Sequence, residues 1–65
     1  MSQIGKNIKR LRQVKEISQD KLSKLADVSL QTIVKMEVDE KPNPTIETLQ
    51  KIAKALEVSI DDLMK

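Results

Sequence analysis

The sequence predicts an all-α fold, a compact bundle of five short helices, and three observations carry that prediction. Apolar residues recur at three- and four-residue spacing along the chain, with no alternating runs and no hairpin signals. Ser or Thr stands just before each later apolar segment, at Ser18, Ser29, Thr45 and Ser59, where a helix takes its N-cap. A chain of 65 residues supports one small core, so residues 1–65 are expected to form a single domain.

The elements follow in order. Ile4, Ile8, Leu11 and Val14 trace the first helix, ending near Glu16. Ser18 caps the second, with Ile17 and Leu22 as a hydrophobic staple and Leu22, Leu25 and Ala26 facing inward. Ser29 caps the third, which runs to about Glu37; Val28 and Ile33 are its staple, and Ile33 and Met36 its buried stripe. Only Asp27 and Val28 separate these two helices, a tight turn. The prolines and turn formers of Asp39-Glu-Lys-Pro-Asn-Pro44 make a loop. Thr45 caps the fourth helix, where Ile46, Leu49, Ile52, Ala53 and Leu56 recur at helical spacing. Ser59-Ile-Asp-Asp62 opens the last as a capping box with Asp in place of Glu, stapled by Val58 and Leu63.

Composition removes whole classes of function. There is no Cys and no His, so disulfides, zinc sites and a Ser-His-Asp triad are excluded; no enzyme activity, metal or cofactor is expected. Phe, Trp and Tyr are also absent, which removes the stacking platform used on single strands and RNA. No apolar run approaches the ~20 residues of a membrane span, the first residues are unlike a signal peptide, and no small-molecule ligand is evident. The expectation is a soluble cytoplasmic domain. Charge points the same way: from Met1 to Lys41 there are nine basic against six acidic residues, and after it three against four. The basic half suits a polyanion, although a solvated Lys-rich face has the same composition.

Two short capped helices joined by a tight turn match the helix-turn-helix pattern, about residues 18–37. With the flanking blocks "IGKNIKRLR" (4–12), "SQDKL" (18–22), "VSLQTIVKME" (28–37), "NPTIETLQKIAKAL" (43–56) and "VSIDDL" (58–63), the chain resembles the phage-repressor and Cro-like family. The resemblance implies a sequence-specific binder of double-stranded DNA, most simply a bacterial or phage-type transcriptional regulator or repressor. A scaffold redesigned for DNA binding has the same sequence features. It implies that the second helix crosses the phosphate backbone with Gln19 near its start. The third would enter the major groove with Leu30, Gln31 and Lys35 facing bases and Thr32 between phosphate and base. It also implies a partly buried pair of Arg12 and Glu37.

Helical geometry agrees on the outer arc of the third helix. At ~100° per residue, Gln31, Val34, Lys35 and Val38 lie opposite Ile33 and Met36, with Leu30 and Thr32 at the flanks. Gln pairs with adenine and Lys donates to guanine, while Val34 and Leu30 match thymine methyls, so an A/T-containing subsite is expected. Scattered exposed apolar residues are ordinary, however, and methyl reading is not their only use. For phosphates the candidates are Ser18, Gln19, Asn43 and Thr45 at helix starts, with Lys41 in the loop; Ser18 and Thr45 serve equally as plain caps.

Three acidic residues, Asp27, Asp39 and Glu57, stand where relatives commonly end a helix on a left-handed glycine, and Ser23 replaces a small Ala. The rival reading is a protein-interaction or dimerisation module, antitoxin-like, with Leu30, Val34 and Val38 as its contact strip. On DNA, a palindromic site would imply a second copy of the chain, and a short asymmetric site of about 5–6 base pairs a monomer.

Overall fold

The computed structural model describes residues 1–65 as five helices and no strand: α1 (Gln3–Val14), α2 (Gln19–Ala26), α3 (Leu30–Val38), α4 (Ile46–Leu56) and α5 (Ile60–Met64). The all-α prediction holds. None of the helices is long and apolar enough to cross a membrane. α1 packs on α3 and α5, α2 on α3 and α4, and α4 on α5, giving a nearly isometric body of 23 × 22 × 21 Å. Ile8, Leu22, Ile33, Ile52, Leu56 and Leu63 are completely buried at the centre.

Local chemistry explains where each helix begins. Ser18, Ser29, Thr45 and Ser59 all occupy the N-cap, each side chain accepting from the backbone N–H three residues on. Ser2 does the same for α1. Asp62 returns a bond from the Ser59 backbone N–H at 3.1 Å, completing the reciprocal box that its sequence spacing suggested.

The helix ends share a second device. α1, α2 and α4 each terminate on a left-handed acidic residue: Glu16 (φ 57°), Asp27 (φ 57°) and Glu57 (φ 60°). In each case the next residue donates five positions back: Ile17 to Arg12, Val28 to Ser23 and Val58 to Ala53, at 3.0–3.1 Å. These are Schellman closures. Ile17, Val28 and Val58 then pack on the core and lead into the next helix, so one apolar residue closes one helix and staples its successor. Asp39 differs from expectation. It is extended, at φ −63° and ψ 141°, because the chain leaves α3 directly into a proline loop and does not turn back on itself.

Four placements correct the sequence reading. α1 stops at Val14, ahead of Glu16, and Val14 is 73% exposed, lying about 120° around the helix from Ile8. Leu25 is half exposed because the buried arc of α2 is centred on Leu22, Ala26 and Ser23, turned away from it. Ser23 fills its tight place by donating its hydroxyl to the Asp20 carbonyl at 2.7 Å. Ile46 is exposed because it opens α4 and its side chain leans past the helix end.

Candidate nucleic-acid interface

The position of α3 is set from its inner side. Ile33 and Met36 are buried, and Glu37 joins them with a side chain only 3% exposed. Its charge is met by a fork: Arg12 Nε donates to one carboxylate oxygen at 2.9 Å and Arg12 Nη2 to the other at 3.1 Å. Arg12 Nη1 also donates to the Ile17 carbonyl at 3.0 Å, and Gln19 Nε2 to Glu37 at 3.3 Å. One carboxylate therefore ties α3 to α1 and to the first residue of α2. Bidentate, satisfied geometry of this kind specifies one arrangement, whatever it adds to net stability.

With that side locked, the opposite arc faces solvent. Leu30, Gln31, Val34, Lys35 and Val38 are exposed, and Lys35 has no carboxylate partner. Thr32 is half buried and shares a 2.8 Å hydrogen bond with the Ser29 hydroxyl, so its side chain is steered by the cap.

Beside α3 lies an open cleft of about 350 Å³ leading to the start of α4. Thr32, Lys35, Asn43 and Thr45 line it together. Thr45 is also engaged as a cap, accepting from the Thr48 N–H at 3.1 Å and donating its hydroxyl to that of Thr48 at 3.0 Å. Lys41 is exposed and unpaired in the adjoining loop but does not line the cleft.

Ser18 and Gln19 occupy another flank, at the start of α2. Ser18 accepts from the Lys21 N–H at 3.0 Å, and the Gln19 amide is turned inward onto Glu37. The first N–H groups of α2 and of α4 have no partner inside their helices and carry the positive end of each dipole.

Acidic residues around this face are unevenly placed. Asp39 lines the cleft, while Glu40 lies 3.6 Å from the amino terminus of Met1. Two buried residues of α1 were missed from sequence. Asn7 is buried and donates to the Leu63 carbonyl and to the main-chain oxygen of Lys65, both at 2.9 Å, locking α5 to α1. Gly5 is buried against the last turn of α3. Nothing marked Asn7, but a lone glycine inside a helical pattern was a readable sign of close packing.

The fold recurs in known proteins. The helix-turn-helix family model matches residues 8–63. The N-terminal DNA-binding domain of SinR from Bacillus subtilis is 32% identical and superposes with a TM-score of 0.89, over 95% of this chain and 90% of that one. The restriction-modification controller protein C.AhdI from Aeromonas hydrophila is 24% identical with a TM-score of 0.86, over 94% and 91% of the two chains. No curated protein matches the sequence. A family match across most of the sequence and a related fold over nearly all of it lead to one conclusion: the chain belongs to the helix-turn-helix family.

Proposed function

We propose that the protein binds double-stranded DNA in a sequence-selective way and regulates transcription by occupying its site. The observation that carries this reading is the contrast across α3, whose inner arc is anchored at Glu37 while Gln31, Val34 and Lys35 stand free on the outer one. In this reading α3 enters the major groove. Gln31 pairs with adenine and Lys35 with guanine, and Leu30 and Val34 pack on thymine methyls. Thr32, Asn43 and Thr45, gathered at the cleft, face phosphates together with Lys41, the N–H groups of α4, and Ser18 and Gln19 at the start of α2. The SinR domain, described as DNA-binding, supports the reading by its identity over nearly the whole chain.

If about four to six phosphates are neutralised, log K plotted against log salt should fall with a slope of roughly −4 to −5 on duplex DNA, measured by fluorescence anisotropy. Lys35→Glu should abolish that binding. A slope near zero would overturn the proposal. Selection from a randomised duplex library then reads site and symmetry together, a palindrome meaning two copies one helical turn apart. The exposed run of Leu30, Val34 and Val38 favours one rival, a protein-interaction module. Self-association abolished by Val34→Lys, in a chain that ignores DNA, would establish that rival.

A further inference from the structure

We infer that Gly5 is a positioning residue for DNA reading: the absence of a side chain there sets how closely α3 lies against α1, and so where its outer face stands. The inference rests on the DNA-binding role proposed above.

Gly5 is the one glycine of the chain, and its φ is not positive, so no backbone conformation requires it. It sits inside a 12-residue helix, where glycine weakens the helix relative to alanine. What distinguishes the position is its neighbour. A Cβ at residue 5 would stand 2.7 Å from the Met36 carbonyl oxygen, 2.8 Å from that of Glu37 and 3.1 Å from the Glu37 Cα. These are backbone atoms of the last turns of α3, so no rotamer change relieves the contact. Restoring an ordinary separation of 3.4 Å requires one helix to move by several tenths of an ångström.

Arg12 lies two turns along α1 from Gly5, on the same face, and grips Glu37 through a flexible side chain. That fork can follow a small shift; the backbone contact cannot. Base-edge hydrogen bonds tolerate little displacement, whereas long Lys side chains and diffuse charge keep their hold on phosphates. Gly5 therefore acts on discrimination between sequences and leaves charge-driven affinity alone.

The test compares the wild type with Gly5→Ala on the duplex selected from a random library and on random duplex, well below both melting temperatures. The expected result is a fall of about tenfold or more in the ratio of selected to random affinity, the worth of one bidentate base contact. Random-duplex affinity and its salt slope should stay unchanged, and in the DNA-free protein the amide resonances of Val34 to Val38 should shift. Should Gly5→Ala unfold, the same comparison is made in a Glu57→Gly background, which relaxes a strained helix end away from α3. Undiminished discrimination overturns the inference, as does equal loss on both duplexes or unfolding even in that background. A wild type that prefers no duplex removes the sequence-selective reading itself, and does so before any substitution is made.

Discussion

Glu16 and Glu57 hold a left-handed conformation that crowds Cβ against the following carbonyl, at about 1 kcal/mol each for an L-residue. Glycine carries no such cost, although it frees the unfolded chain and returns part of the gain. Glu57→Gly should therefore stabilise the protein by roughly 0.5 kcal/mol, read as a higher urea midpoint at unchanged slope. The Lys15–Glu57 pair at 3.3 Å is too exposed to offset this. A lower midpoint would show that the pair outweighs the strain. Asp62 carries a different signature. The Ser59 backbone N–H, then Lys65 and the Ser59 hydroxyl, hold its carboxyl below the ordinary carboxylate value. A depressed carboxylate adds stability above its unfolded value of ~3.9 and loses it as pH falls through the lower folded value. Asp62→Asn should be less stable than wild type at pH 6, and the gap should close below about pH 4 in thermal melts. A gap that persists at low pH would rule out ionisation as its source.

At the scale of elements, α3 depends on one buried ion pair. Arg12→Met leaves the Glu37 carboxylate buried without its fork, which should cost about 3 kcal/mol and speed hydrogen exchange along α3. Pairing it with Glu37→Leu should recover most of that loss. A double variant no more stable than Arg12→Met would mean the geometry of the pair, not its satisfied charge, holds the helix. Helix starts were legible in the sequence because capping is local: a Ser or Thr and the N–H three residues later suffice. Burial was less legible. Periodicity marked an apolar stripe on every helix, but the packing partner decides which arc is covered, and so Val14, Leu25 and Ile46 came out exposed. Ser23 took the buried place because its hydroxyl finds a carbonyl in its own helix. The outer face of α3 was readable for the opposite reason, since helical geometry alone sets it against Ile33 and Met36. The cleft gathering Thr32 with Asn43 and Thr45 was not, because it depends on how the loop folds back.

The molecule as a whole closes end to end. α1 and α5 meet through Asn7, whose Nδ2 reaches the Leu63 carbonyl and the main-chain oxygen of Lys65 just past the helix, a contact spanning 56 and 58 positions that no local pattern reveals. Asn7→Ala should cost about 2 kcal/mol and release the amides of α5 to faster exchange, while those of α4 keep their protection. Uniform loosening across all five helices would assign Asn7 to the general core instead. The body's extent has a consequence for information. At ~3.4 Å per base-pair step, a face of 23 Å spans about seven steps, and seven letters distinguish roughly 16,000 sequences. Competing sites in a genome number ~10⁶ or more, so any seven-letter word recurs tens of times or more. On the proposed reading, one copy can name a street but not a house. A second copy on the same duplex would square the number of distinguishable addresses.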